Sequence, residues 1–172
     1  MAFRPTLNDY RSVGDPLIAA DFLLLIPSIP GAADSRKISY KVVSTALPGT
    51  AIEQVPVEIG ARKHNFAGRR TYSGTWSATL IETADASTRG DILNWISLAR
   101  PYASGAGSYK NFYARTAELQ VFDAANKMTI SSVITGLFPL SLEDFTLEQS
   151  SNVIQYSVQF SFDEATETYG GS

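Results

Sequence analysis

Side chains that do chemistry are scarce in this chain. Its 172 residues contain a single histidine, His64, and no cysteine, so the usual bases, nucleophiles and soft metal ligands are nearly missing. His64 lies in the stretch ARKHNFAGRRTY beside Arg62, Lys63, Arg69 and Arg70, a setting for a surface or packing residue rather than a general base. The acidic candidates, Glu143-Asp144 and Asp163-Glu164, are adjacent pairs. Neighbouring side chains on a strand point to opposite faces, so neither pair chelates one ion. The glycine-rich GAGSYK at 105–110 lacks the G-x-x-x-x-G-K-[ST] frame of a phosphate cradle and neither follows a strand nor opens a helix. These observations predict no enzyme, no metal site and no cofactor.

The basic cluster interleaves its cations with Phe66 and Tyr72, as single-strand nucleic-acid surfaces do. The chain as a whole carries a net charge of -3, which suits general nucleic-acid binding poorly. Charge is unevenly distributed. Nothing after Lys127 is basic, and the last quarter holds Glu143, Asp144, Glu148, Asp163, Glu164 and Glu167. Opposite poles on one chain suit head-to-tail contacts between identical copies. Solvation of both poles, or pairing within one chain, is the plainer alternative.

Charged residues make up 18% of the chain, below the roughly 25% of an average soluble domain, so much of the surface is uncharged. A chain of this length buries roughly 70% of its extended surface in one core. With no break in composition, a single domain over 1–172 is expected. The apolar run from Leu17 to Ile26 is interrupted by Asp21 and has no cationic segment directly before it. No apolar run approaches the ~20 residues of a membrane helix. The expectation is a protein without a membrane-spanning segment, made in a cytoplasm.

The elements that must position these residues are mostly strands. Residues 1–16 lack an apolar period and read as an N-terminal arm, and 164–172 as a C-terminal tail. Strands are predicted over 21–26 and 37–44, where Ile38, Tyr40 and Val42 alternate with polar neighbours. Leu47-Pro48-Gly49 marks a turn, and the segment to Gly60 reads as an edge strand or extended loop because Pro56 cannot donate to a ladder. Residues 63–72 and 75–81 read as a strand pair joined through Ser73-Gly74. In DASTRGDILNWISLARP, the spacing of Ile92, Trp95, Ile96 and Ala99 predicts a helix, capped by Ser87 or Thr88 with Asp91 in its first turn and stopped by Pro101. A hairpin is predicted over 118–122 and 128–134, with Gly136 to Pro139 bending the chain out of it. The sum is mainly β: an antiparallel β-sandwich or barrel with one flanking α-helix.

The closing strand, SSNVIQYSVQFSFDE, alternates strictly. Ile154, Tyr156, Val158, Phe160 and Phe162 share one face, and Gln155, Ser157, Gln159 and Ser161 share the other. Alternation establishes two environments and identifies neither.

In order, LPGT, IEQVPVEIG, FAGRRTYSGTWSATLIET, the Trp-bearing DILNWISLARP, ELQVFDAANKMTISSVI, GLFPLSL and the closing strand resemble the tail tube proteins of contractile-tailed bacteriophages. The resemblance runs from about Ile38 to Glu164, and G-x-F-P before a terminal strand ending in Phe-Asp is its most specific part. It implies hexameric rings stacked into a tube, with six copies contributing strands to one inner sheet around a channel. It further implies a location in the virion tail, partners in the sheath, baseplate and tail terminator, and phage DNA passing through the lumen without specific binding. On this resemblance Gln155, Ser157, Gln159 and Ser161 are candidates to line the lumen. Leu47, Pro48, Gly49, Arg62, Lys63, Arg69, Arg70, Asp163 and Glu164 are candidates for contacts between subunits. Axial contacts would come from the 45–60 segment, the arm and the tail. Related tubes occur in type VI secretion and in phage-like toxin particles, which is the alternative reading. A monomeric ligand- or carbohydrate-binding β-sandwich is a second alternative and would need a pocket with a working carboxylate pair.

Overall fold

The computed structural model describes residues 17, 21–32, 36–145 and 152–170. The arm expected over 1–16 lies outside the described residues, as does Glu148 of the acidic pole. In chain order the described elements are β1 (Phe22–Leu25), α1 (Arg36–Ser39), β2 (Val42–Thr45), β3 (Thr50–Ile59), β4 (Arg62–Tyr72), β5 (Thr75–Ile81), α2 (Ser87–Ala99), α3 (Lys110–Tyr113), β6 (Arg115–Phe122), β7 (Met128–Leu142), β8 (Gln155–Ser161) and β9 (Glu164–Tyr169). All strand pairings are antiparallel. The main sheet runs β1-β6-β7-β8-β5-β2, with β9 also on β7, and β3-β4 stands apart as a two-stranded ribbon.

Strand β7 makes this one sheet into two layers. Its first part pairs with β6 on one side and β9 on the other, while Phe138 to Leu142 pairs with β8. The change happens at Gly136, whose φ of 70° favours glycine, and where the β6 register slips between Arg115 and Ala117. One layer is thus β1, β6, the start of β7 and β9; the other is the end of β7, then β8, β5 and β2. The arrangement is sandwich-like rather than a closed barrel, since β1 and β2 are not paired.

A Cβ at Gly136 would run into the Asp163 carboxylate. That carboxylate accepts hydrogen bonds of 2.5 and 2.6 Å from the Lys110 ammonium, and the Asp163 amide donates to the Thr135 carbonyl at 2.9 Å. An exposed ion pair of this kind stabilises by at most about 1 kcal/mol, so its role here is positional. The G-x-F-P segment and the terminal Phe-Asp are therefore one structural unit: the aspartate folds over the bulge that turns β7.

The core lies between the layers and under α2. Val158 and Phe160 of β8, Trp76, Ala78 and Leu80 of β5, Leu24, Leu119 and Ile134 of the other layer, and Ile92 and Trp95 of α2 form one buried cluster. Phe160 packs between both tryptophans, with ring centroids 5.4 Å from Trp76 and 6.1 Å from Trp95. Each indole N–H finds a backbone acceptor: Trp76 donates to the Ala46 carbonyl and Trp95 to that of Tyr113, both at 2.6 Å. Aromatic burial and polar satisfaction are thereby met together, and α2 and α3 are tied to the same core.

Four sequence expectations change. Over 37–44, Arg36–Ser39 is a helical turn that buries Ile38, and the strand begins only at Val42. Ile38 and Val42 are spaced for a helical turn as well as for alternation, and Tyr40, the supposed third member of the face, is 80% exposed. Strands β4 and β5 do not pair with each other: β4 is taken by β3 across the tight turn at Gly60-Ala61, and β5 inserts between β2 and β8. The segment read as a tail is, over Glu164–Tyr169, an edge strand on β7. Finally, Ala86 holds the N-cap position of α2 in a left-handed conformation with no side-chain cap.

Two upstream carboxylates cap α2 instead. Glu82 Oε2 accepts from the Arg89 amide at 2.8 Å, and Asp85 Oδ1 from the Ser87 amide at 3.4 Å. Thr88, freed from capping, is buried, and its hydroxyl accepts from the Lys41 ammonium. Glu82 Oε2 also accepts from the Tyr156 hydroxyl at 2.8 Å, while the Arg89 guanidinium lies 4.9 Å from the Phe145 ring centre and 5.6 Å from that of Tyr156. This network locks α2 to the ends of β5 and β8. Burial pushes the Glu82 carboxyl up, but the bonds from the Thr83 amide, the Tyr156 hydroxyl and the Arg89 and Thr88 amides outweigh it and hold the group below its ordinary 4.5. Hydrogen bonds from Thr83 and Ser87 bring Asp85 down to about 2.

Two measurements test this account. Gly136→Ala combines a disfavoured φ with a collision, and should lower the unfolding free energy by about 1–3 kcal/mol in urea titrations; an unchanged midpoint would contradict the account of the β7 bend. Because the folded-state value of Glu82 is depressed, its contribution is present above the unfolded value and lost as pH falls through the folded one. Glu82→Gln should accordingly be less stable than the parent at neutral pH, with the gap closing as pH falls below the ordinary carboxyl value of 4.5. A pH-independent gap would mean that the carboxylate charge is irrelevant.

Candidate assembly surfaces

The layer made of the end of β7, β8, β5 and β2 turns one face to the core and the other away. Registers fix which residues share the outer face: Thr75 with Ser161, Ser77 with Gln159, Thr79 with Ser157 and Ile81 with Gln155, continued by Ser44 on β2 and Ser141 on β7. Tyr156, Val158, Phe160 and Phe162 are buried on the other side, as the alternation predicts, whereas Ile154 just before the strand is 36% exposed. The outer face is uncharged across all four strands and made mostly of serine, threonine and glutamine, with Ile81 at one end and Phe138 in register with Ser161 at the other. Its side chains meet each other, with Thr79 Oγ1 3.4 Å from Ser157 Oγ and Ser141 Oγ donating to Gln159 Oε1 at 3.5 Å.

The opposite layer has a different exterior. Glu118 sits there between Leu25 and Val133 and accepts from Gln120 at 2.8 Å and Ser131 at 2.7 Å. These hydrogen bonds hold its carboxyl below the usual range, so the group is a charge at neutral pH. Glu164 stands opposite Thr135 on the same layer. One exterior is therefore charged and the other is not, a contrast that sequence reading reached only for β8.

The ribbon β3-β4 is the second unusual surface. It continues from β2 and into β5, yet every residue of β3 is exposed. Its register puts Val55 opposite Phe66, Val57 opposite His64 and Ile59 opposite Arg62, so Val55, Val57, Ile59 and Phe66 form an apolar stripe. They are 42%, 39%, 61% and 55% exposed. Gln54 with Ala67, Pro56 with Asn65 and Glu58 with Lys63 make the other, polar face. An isolated two-stranded hairpin is marginal in water. Gly68 lies where the register slips, and a Cβ there would come within 2.8 Å of the Val55 side chain and 2.9 Å of the Glu53 carbonyl oxygen.

The expected contact residues separate into three places. Arg62, Lys63, Arg69 and Arg70 are exposed along β4. Leu47, Pro48 and Gly49 link β2 to β3: Leu47 packs against the core, Pro48 is buried and Gly49 is exposed. Asp163 is engaged by Lys110 within the chain, and Glu164 opens β9. His64 is an exposed ribbon residue opposite Val57.

No protein-family model matches the chain. The tail tube protein gp19 of Enterobacteria phage T4 is 26% identical over 119 residues, which cover 68% of this chain and 72% of that protein. Its counterpart from Enterobacteria phage T6 is 27% identical over the same length. Among solved structures, a chain of the PVC sheath-tube complex of an extracellular contractile injection system superposes with a TM-score of 0.65 at 10% identity, covering 96% of this chain and 100% of the other. A chain of the PVC sheath/tube terminator reaches 0.67 at 11% identity over 91% and 99%. Hcp1 from Flavobacterium johnsoniae reaches 0.52 at 13% identity over 87% and 95%. The chain is thus similar in sequence to phage tail tube proteins, and it shares its fold with chains of contractile injection-system assemblies and with Hcp1.

Proposed function

We propose that the chain closes into six-membered rings that stack into the inner tube of a phage tail, with the neutral face of β2, β5, β8 and the end of β7 lining the channel. The carrying observation is that face itself: four strands wide, hydrated by serine, threonine and glutamine, and without a charge to hold a passing phosphate chain. If six copies each give four strands, ~24 strands at about 4.8 Å spacing and about 40° tilt give a backbone diameter of roughly 50 Å. Side chains then leave about 40 Å clear, enough for a DNA duplex. Gln155, Ser157, Gln159 and Ser161 are lumen residues in this reading, and the part played is structural rather than enzymatic.

The ribbon supplies contact between rings. Its apolar stripe has no partner among the described residues outside the ribbon, and its cations Arg62, Lys63, Arg69 and Arg70 complement the acidic exterior around Glu164. Leu47 to Gly49 form the hinge at its base. The engagement of Asp163 by Lys110 leaves Glu164 and Glu167 as the acidic partners on that edge. Sheath, baseplate and terminator are the partners such a tube meets, with the subunit made in the host cytoplasm and ending in the virion tail. The fold is equally that of contractile injection systems, so a toxin-delivery or type VI tube is the second reading; the sequence likeness to phage proteins places it second.

Electron microscopy of the purified protein should show rings or hollow rods, and a monomer at every concentration would overturn the proposal. Arg69→Glu with Arg70→Glu should reduce stacking while leaving the thermal midpoint of the subunit nearly unchanged, and normal polymerisation would remove the charge-pole contact. Gln155→Lys, Ser157→Lys and Gln159→Lys together should permit tubes but slow genome release in an infectivity assay. Release at the parental rate would place these residues away from the channel.

A further inference from the structure

We infer that β9 is a removable cover over the Ile130–Thr135 edge of β7: it lifts as a unit about Asp163 while the two-layer core stays folded.

The hold on the chain changes abruptly at Asp163. Just before it, Phe162 is buried, meets the Tyr72 ring edge-on with centroids 6.2 Å apart, and donates its amide to the Gly74 carbonyl at 3.2 Å. Asp163 itself is tied to the Lys110 ammonium and to the Thr135 carbonyl. Beyond it, the six residues of β9 bury a single side chain, Ala165. Glu164, Thr166, Thr168 and Tyr169 are exposed, and Glu167 is partly so. Among the described residues β9 pairs with β7 alone, through one backbone ladder that ends where the Gly170 amide donates to the Thr129 carbonyl at 2.8 Å. One buried methyl group gains little to offset the entropy of ordering six residues.

The closed arrangement also leaves two hydroxyls without partners. Ser132 lies directly opposite Glu167, and Thr129 is the residue that receives the Gly170 amide. Both side-chain oxygens are buried, and neither has a hydrogen-bond partner among the described residues. The Glu167 carboxylate does not supply one: its Oε2 accepts from the Tyr169 hydroxyl at 2.5 Å. A buried hydroxyl without a partner opposes the state that buries it. When β9 lifts, β7 becomes the edge of its layer and both hydroxyls come within reach of water. Weak burial above and unsatisfied groups below thus act in the same direction.

Opening has a defined product. It presents the backbone groups of Ile130–Thr135, a stretch that carries Ile130, Val133 and Ile134, as an unpaired edge. Such an edge is a template for further strands, and a short cover bearing Glu164 and Glu167 blunts it. The anchors at Phe162 and Asp163 keep the bend of β7 in place while the cover is off, so opening stops short of the core.

Hydrogen exchange read by mass spectrometry on the full chain in dilute solution tests this. Amides of 165–170, with those of β7 that they bond, should exchange about 100-fold faster than the amides shared by β5 and β8. Ser132→Ala removes a hydroxyl that only the closed form leaves unsatisfied, and should slow the exchange of β9 roughly tenfold. Ala165→Glu should hold the strand open, with fast exchange over 165–170 and unchanged protection of β5 and β8. The chain has no cysteine, so Val133→Cys with Thr166→Cys, opposite each other in register, can be joined by a short thiol crosslinker without background. Joining them should raise the protection of β9 towards that of β8. Exchange of β9 in step with β8 in the parent would overturn the inference. So would faster exchange of β9 in Ser132→Ala, since the hydroxyl would then be holding the strand down, and so would loss of β5 and β8 protection in Ala165→Glu.

Discussion

The shape of this chain depends on one strand serving two layers. Strand β7 gives its first part to the layer of β1, β6 and β9, and its last residues to the layer of β8, β5 and β2. That continuity works because Gly136 adopts a conformation other residues avoid, and because Asp163 fills the space above it. The bend brings Phe160 beneath the helix and sets the neutral face and the acidic face back to back. A straight β7 would have produced one broad sheet with no interior for Trp76 and Trp95.

Polar chemistry in the molecule is concentrated where elements must be joined. Glu82, Asp85, Lys41 and Arg89 gather at the amino end of α2, where unpaired helix amides need acceptors. There they fix the helix over β5 and β8, so the charges serve the framework. The neutral face is left without them, and the two features are complementary: an uncharged sheet face is stiffened from behind by charges it does not display.

Much of this was legible beforehand, and for identifiable reasons. The strict period of two in β8 named its buried and outward faces correctly because each apolar residue there reaches the core. Ile92 and Trp95 revealed α2, and Pro56 marked β3 as an edge strand or extended segment. The misreadings share a cause, which is that local spacing is silent about partners. Ser73-Gly74 looks alike whether a chain turns back or runs on, and only the competing strand β3 decides. Ile38 and Val42 fit either period. The carboxylates that cap α2 lie upstream of the residues a capping pattern inspects, and the polar Glu164–Tyr169 buries only Ala165, too little to announce a strand. The neutral face was visible on β8 alone, since its extension over β5, β2 and β7 is a matter of register between segments far apart in sequence.

The exposed ribbon has a kinetic corollary. Its ten-residue first strand is exposed throughout among the described residues, so holding it extended costs conformational entropy that docking would offset. In the stacked tube proposed above, two free subunits meeting in solution would both meet that cost for a small contact, whereas a subunit arriving at a completed ring would find a rigid cradle already formed. Growth from an existing end would then be favoured over spontaneous initiation, and polymer length would pass under the control of whatever provides the first template.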